Sequence, residues 1–145
     1  MARYFDIRST VLVVVGHGLL PEEVDRPVAY ELRRAINAQG RAAESEVGVV
    51  LTDLWMLNNE MAEFFPAIAV GGPGVNAFTA QIYEQLPLAF SKGQQVFIQM
   101  ESEGAGRRAA VWGMDDEGTR EGIRIFLSDG FLDRFLDRVW RRERP

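Results

Sequence analysis

The chain contains no cysteine, one histidine (His17) and one lysine (Lys92) among its 145 residues. Without cysteine it can form neither a disulfide framework nor a thiolate metal site, and a single imidazole is too few for a site built on histidines. The position of the only lysine rules out the phosphate-binding motif GxxxxGK[ST], and no GxSxG motif marks a serine nucleophile. Several common catalytic chemistries are therefore excluded.

Long apolar runs are also missing. The run at residues 11–15 has five residues, whereas a membrane helix needs about 20 and a signal peptide needs a longer apolar stretch behind a basic start. We therefore expect a cytoplasmic protein without membrane contact. Acidic residues outnumber basic ones, 21 against 16, and the net charge is −5. Because nucleic-acid binding needs clustered Lys and Arg, we expect no nucleic-acid partner.

What the chain does contain is typical of one globular domain, residues 1–145. Hydrophobic residues make up 47% of it and charged residues 26%. A chain of this length fits a single domain and buries roughly two thirds of the surface that its unfolded form exposes. It needs no metal or disulfide to fold.

Apolar periodicity predicts five strands, at residues 10–15, 47–53, 67–70, 95–100 and 108–112. Helical patterns fall between and after them, at residues 25–40 (with Asp25 as N-cap and Gly40 as the stop), 56–65, 75–86, 118–127 and beyond Gly130. The strand–helix alternation predicts parallel βαβ units, and the short connection at residues 101–107 predicts a hairpin with one antiparallel strand at or near an edge. The expected fold is a three-layer α/β domain with a mostly parallel, Rossmann-like sheet of four to five strands, a C-terminal hairpin and two C-terminal helices.

Glycines and polar residues follow the predicted strand ends. The carboxyl ends of parallel strands meet at one edge of a sheet, where ligands bind. Glycines there let backbone N–H groups approach a ligand, and the following helix N-termini favour an anion. We therefore predict a site for a small anionic or nucleotide-like ligand, and if catalysis occurs His17 or Asp53 would be the general base. The predicted site residues are Gly16, His17, Gly18, Asp53, Gly71, Gly72, Gly74, Asn76, Asp115 and Arg120.

The first half of this site also has a purely structural interpretation. Residues 71–74 have the composition of a tight strand-to-helix turn, with Asn76 near the helix cap. A single histidine between glycines is often structural. Asp53, at the end of a strand, could bind a ribose or a metal, or could cap the next helix.

The second half is open in the same way. Asp115 and Asp116 could hold Mg²⁺ through their carboxylate oxygens. An acidic pair before a helix also compensates the helix dipole, which is the more frequent arrangement. Arg120 could clamp an anionic group or lie on a solvated helix surface.

Two motifs carry a resemblance to known proteins. The run IAVGGPGVN at residues 68–76 and the run VWGMDDEGTR at residues 111–120 each join a predicted strand to a predicted helix. Together they resemble the small α/β domains of archaeal surface-layer-type proteins and, more distantly, cell-wall-binding repeats, over residues 47–130. The resemblance implies an α/β fold with a glycine-rich edge, and it implies no catalytic residue. It favours an alternative function, a non-catalytic assembly or protein-interaction module, in which part of the apolar face of the last helix would form a homo-oligomer contact.

Overall fold

The structure, a computed structural model, describes residues 6–40, 45–101 and 107–142, apart from the side chains of Leu20 and Glu22. The elements, in chain order, are β1 (Val11–Val15), α1 (Leu19–Gln39), β2 (Gly48–Thr52), α2 (Asp53–Asn58), a 3₁₀ helix (Glu60–Phe64), β3 (Ala67–Val70), α3 (Ala77–Ile82), β4 (Leu88–Lys92), β5 (Val96–Met100), β6 (Arg108–Gly113), α4 (Asp116–Ser128) and α5 (Phe131–Val139).

The strands form one mixed sheet in the order β2-β1-β3-β6-β5-β4. β2, β1, β3 and β6 are parallel, while β5 runs antiparallel to both of its neighbours. The predicted α/β class and the antiparallel pairing of the fourth and fifth predicted strands are confirmed. The predicted number of four to five strands was wrong, because β4 is a sixth strand at the edge of the sheet. Most of its residues are exposed, so it lacks the apolar run that marks the other strands.

Helices cover both faces of the sheet and create two cores. On one face α1, α4 and α5 pack over Val11, Val13 and Ile68. On the other face α2, the 3₁₀ helix and α3 pack over Leu12 and Val14. All five residues of β1 are buried, which explains why this strand is a continuous apolar run.

α1 begins earlier than predicted. Its N-cap is Gly18, so Asp25 lies in the second turn and its prediction as N-cap was wrong. Pro27, a residue type common in first turns, lies inside the helix on its exposed side. The predicted stop is confirmed, since the N–H of Gly40 donates to the carbonyl of Ile36 at 3.2 Å.

The shorter helices differ from their predictions at their ends. The pattern at residues 56–65 corresponds to α2 and the 3₁₀ helix, which together begin at Asp53 because Thr52 Oγ1 caps α2 by accepting the N–H of Trp55. The pattern at residues 75–86 corresponds to the shorter α3. The two C-terminal helices are present, and α4 is slightly longer than its predicted range of 118–127.

The apolar face of α5 is buried within the domain. Phe131, Leu132, Phe135 and Leu136 are each at most 7% exposed and belong to the core beneath α4. Val139 and Trp140, which continue this face, are partly exposed, and the homo-oligomer contact stays a prediction. Across the described ranges, none of the helices combines the length and apolar character that crossing a membrane requires.

Candidate functional site

The order of the parallel strands creates a switch point between β1 and β3. From β1 the chain crosses to β2 on one side, and it then returns to β3 on the other side of β1. Connections that leave in opposite directions open a crevice beyond the carboxyl ends of the strands. Here the crevice lies between residues 16–18, which follow β1, and residues 71–76, which follow β3.

Gly16 and Gly71 allow the two loops to approach each other closely. A Cβ on Gly16 would lie 1.9 Å from the carbonyl oxygen of Val75, a distance that no side chain could tolerate. Gly71 has a φ of +104°, and its Cβ would lie 2.7 Å from Oδ2 of Asp25. Packing alone therefore requires glycine at both of these predicted site positions.

His17 and Asp53 form a hydrogen-bonded pair at this crevice, with 2.8 Å between Nδ1 and Oδ1. Asp53 is 1% exposed, whereas the His17 side chain is 51% exposed. The second carboxylate oxygen, Oδ2, accepts the N–H of Ala77 at 2.7 Å. Because an ionised carboxylate only accepts hydrogen bonds, Nδ1 carries the proton and Nε2 is the ring nitrogen left for a ligand.

Asn76 is a structural link between β1, β3 and α3. Its Nδ2 donates to the carbonyls of Val14 and Val70, both at 2.9 Å. Its Oδ1 accepts the N–H groups of Phe78 and Thr79 at 2.9 and 3.1 Å. The side chain is 1% exposed and its polar atoms are engaged, so the helix-cap interpretation is the one that the structure supports.

The loop at residues 72–75 separates two cavities. We call the first the histidine cavity; it has a volume of about 490 Å³ and its lining includes His17, Gly18, Asp53, Gly74, Val75 and Asn76. We call the second the aspartate cavity; it has a volume of about 500 Å³ and its lining includes Asp25, Gly72, Gly74, Trp112, Asp115 and Asp116. Seven of the ten predicted site residues are thus divided between two cavities with different chemistry, and Gly16, Gly71 and Arg120 line neither.

Asp25 is the residue that sequence reasoning missed. It is 4% exposed, and it accepts no hydrogen bond from any residue that the structure describes. Burial first, and then the negative charge of Asp116, raises its pKa from 3.8 to about 6, an effect that Arg120 partly offsets. Arg120 itself lines neither cavity. A signal was present in the sequence: Asp25 falls on the same helical stripe as Leu32 and Ile36, where a carboxylate is unusual.

Asp115 caps α4, since its Oδ1 accepts the N–H of Gly118 at 2.8 Å. This supports the interpretation of the acidic pair as a helix-start feature. In the described part of the chain, no three His, Asp or Glu side chains are grouped closely enough to hold a metal ion.

A third cavity, of about 700 Å³, lies between α2, the 3₁₀ helix and α3. Its one basic lining residue, Arg108, donates to the backbone carbonyls of Glu63 and Phe65. The guanidinium of Arg108 is therefore already hydrogen-bonded within the protein. None of the predicted site residues lines this cavity.

No protein-family model matches this chain, and no curated protein and no solved structure is significantly similar to it. The resemblance to surface-layer-type domains stays a prediction. The two cavities at the switch point are the features that could bind a ligand.

Proposed function

We propose that this protein binds a small anionic ligand, such as a phosphate ester or a nucleotide, in the histidine cavity. One observation carries this: the imidazole of His17, fixed by the buried Asp53, stands beside the start of α1, which no described side chain caps. A protonated imidazole and the uncapped start of a long helix both favour negative charge.

α1 and α3 differ in what their first turns can offer a ligand. The N-cap of α1, Gly18, lines the histidine cavity and contributes no side chain to the first-turn N–H groups. Those groups need an acceptor from outside the helix. The first N–H groups of α3 already donate to Asp53 and Asn76. Backbone binding of an anion would therefore involve α1.

The carboxylate of Asp53 is compatible with a bound anion. Both of its oxygens accept hydrogen bonds within the protein, and its charge is balanced when His17 is protonated. In that state Nε2–H can donate to the ligand. If the ligand undergoes a reaction, His17 is the better placed of the two predicted general bases, because Asp53 is buried and fully engaged. A cytoplasmic location stays a prediction.

Thermal unfolding in the presence of phosphate compounds tests this proposal. We would compare inorganic phosphate, AMP and glucose 6-phosphate with the neutral compounds adenosine and glucose. A ligand at about 100 times its Kd adds about 2.7 kcal/mol of stability, or several degrees in Tm for a domain of this size. We expect at least one phosphate compound to raise Tm while its neutral counterpart does not. Equal Tm values with charged and neutral compounds would contradict the proposal.

Two variants locate the effect. His17→Ala removes the imidazole from the cavity, and Arg124→Ala removes one basic group from the exposed surface of α4. We expect the phosphate-dependent shift to disappear in His17→Ala and to persist in Arg124→Ala. Loss of the shift in both variants would indicate nonspecific attraction to positive charge.

A second candidate function is self-association through the surface of α2 and the 3₁₀ helix. This surface exposes an unusual group of large apolar side chains, each between 41% and 59% exposed: Leu54, Trp55, Leu57, Met61 and Phe64. Contiguous exposed apolar area often marks a protein contact. We would measure the mass by sedimentation and expect a value above 16.3 kDa that Met61→Glu reduces and Leu88→Glu, on the edge strand, does not. A monomer at all concentrations would exclude this candidate.

A further inference from the structure

The aspartate cavity has the opposite electrostatic character to the histidine cavity. Every charged side chain that lines it is acidic, namely Asp25, Asp115 and Asp116. The rest of the lining is largely apolar and includes Pro73, Val75, Trp112 and Met114. Such a cavity repels phosphates and attracts a positively charged group attached to an apolar body.

Asp25 is the deepest of these carboxylates. It projects from the second turn of α1 against the backbone of Gly71, and only 4% of its surface is exposed. Buried polar groups in proteins nearly always have a hydrogen-bond partner, and a carboxylate without one is costly. Within the described ranges Asp25 has no such partner, and because it lines the cavity its oxygens are not among the fully enclosed unpaired atoms. A donor that enters the cavity would supply the missing hydrogen bond.

No neighbouring charged residue in the described structure supplies the hydrogen bond that Asp25 lacks. Asp115 is engaged as the cap of α4. Arg120 influences Asp25 through its charge, but it neither lines the cavity nor forms an ion pair with Asp25 in the described structure. Asp25 and Asp116 therefore determine which charge the cavity selects.

We propose that the aspartate cavity binds an organic cation, an ammonium or guanidinium group on an apolar body, with Asp25 as its ion-pair partner. The apolar body would contact Trp112 and Val75, and a ring would add an attraction between the cation and the indole. A bare metal ion fits less well, because the described carboxylates are not grouped as metal ligands. The two cavities share residues 73–75, but neither Asp25 nor Asp116 lines the histidine cavity, so cation binding does not require anion binding there.

Benzylamine is a suitable probe, since it places an ammonium beside an apolar ring, and benzyl alcohol is its neutral counterpart. We would titrate each into ¹⁵N-labelled protein and follow the backbone amides. Saturable shifts centred on Gly72, Gly113 and Thr119 are expected for benzylamine, with binding at least about tenfold tighter than that of benzyl alcohol. Equal binding of the two probes, or no saturable binding of benzylamine up to about 50 mM, would overturn the proposal.

Variants assign the binding to Asp25. Asp25→Asn keeps the shape of the side chain and removes its charge, and we expect it to weaken benzylamine binding about tenfold or more. Glu117→Gln makes the same chemical change on the exposed face of α4, outside the cavity lining, and should leave affinity within about twofold. Equal affinity of Asp25→Asn and the unmodified protein would overturn the assignment.

Two further measurements keep the result interpretable. If Asp25→Asn does not give a dispersed amide spectrum, Asp116→Asn replaces it and should weaken binding severalfold, and unchanged binding there would overturn the proposal. The Tm shift caused by phosphate compounds should persist in Asp25→Asn. A result that contradicts cation binding in the aspartate cavity is thereby distinguished from one that contradicts anion binding in the histidine cavity.

Discussion

Two buried aspartates, Asp53 beside the histidine cavity and Asp25 beside the aspartate cavity, have almost the same exposure and opposite surroundings. Asp53 is 1% exposed, and both of its oxygens accept hydrogen bonds. Asp25 is 4% exposed and accepts none from the described residues. The difference follows from the groups that face each carboxylate. Asp53 faces the first N–H of α3, that of Ala77, and the ring of His17, whereas the N–H groups around Asp25 are already used inside α1.

Burial alone therefore does not distinguish a structural carboxylate from a candidate binding group. The difference lies in whether the protein itself supplies hydrogen-bond donors to the carboxylate. Asp53 holds three elements together and needs no ligand to be stable. The raised pKa of Asp25 means that folding disfavours its charged form, and carboxylates with such shifted pKa values are frequently functional. Removing the carboxylate of Asp53 should consequently lower the free energy of unfolding, and removing that of Asp25 should raise it.

The largest expected change in stability comes from Asn76, which holds the loop between the two cavities. Asn76→Ala removes four buried hydrogen bonds that join β1, β3 and α3, and it leaves backbone groups without partners. We expect a loss of about 3–4 kcal/mol in the free energy of unfolding, measured with urea. Asn58→Ala, at an exposed position of α2, should change it by less than about 0.5 kcal/mol. A small effect of Asn76→Ala would show that the loop is held by other contacts.

Asp25→Asn should act in the other direction. At pH 7.5 the variant removes a buried charge that no described donor neutralises, so we expect unfolding to cost about 2–3 kcal/mol more than in the unmodified protein. Urea unfolding at one protein concentration measures the difference. Glu117→Gln should stay within about 0.5 kcal/mol. Destabilisation by Asp25→Asn would mean that the carboxylate has a partner in the folded state, and the contrast with Asp53 would then fail.

The pH dependence of this difference is a sharper measurement. Folding raises the pKa of Asp25 from 3.8 to about 6, so between these values the folded protein binds the proton more tightly than the unfolded chain. The contribution of Asp25 to stability is therefore full below about pH 4 and is lost as the pH rises through about 6. The stability of the unmodified protein minus that of Asp25→Asn should fall by about 3 kcal/mol over this range and then level off. Asp116, Asp115 and Arg120 are present in both proteins, and a flat difference would contradict the pKa shift.

The sequence predicts the parallel half of the sheet more accurately than the helices. β1, β2 and β3 were predicted to within one residue of each end, because strands covered on both faces form apolar runs that few other structures produce. β4 lacked that signal because it is an exposed edge strand. The start of α1 was misplaced because Asp25 and Pro27 resemble a helix start, whereas the actual N-cap, Gly18, offers no side-chain signal.

The candidate site shows a similar division. The edge that carries His17, Asp53 and Asn76 could be predicted, since residues after parallel strands converge at one end of the sheet. The pairing of His17 with Asp53 could not be predicted, because the two residues are 36 positions apart and their contact depends on strand order. Whether Asp25 has a partner depends likewise on the packing of α1 against residues 71–75. Local patterns place residues on elements, while hydrogen-bond partners across elements need the tertiary structure.

A smaller loss is expected for Asp53→Ala. It leaves the N–H of Ala77 without its acceptor and frees the ring of His17, so unfolding should cost about 2 kcal/mol less. Chemical denaturation at pH 7.5 provides the comparison with Asp25→Asn, which should show the opposite sign. Two variants that shift stability in the same direction would remove the distinction between the cavities.

His17→Ala should have the smallest effect on stability, less than about 0.5 kcal/mol, because half of the side chain is exposed and Asp53 keeps its hydrogen bond from Ala77. The same variant should abolish the stabilisation by phosphate compounds. This combination separates a binding residue from a structural one, since Asp53→Ala would reduce both quantities. A loss of about 2 kcal/mol in His17→Ala, measured without any ligand, would instead mean that the histidine serves to neutralise Asp53. The histidine cavity would then be a structural feature of the switch point, and the aspartate cavity would be the stronger candidate for a ligand site.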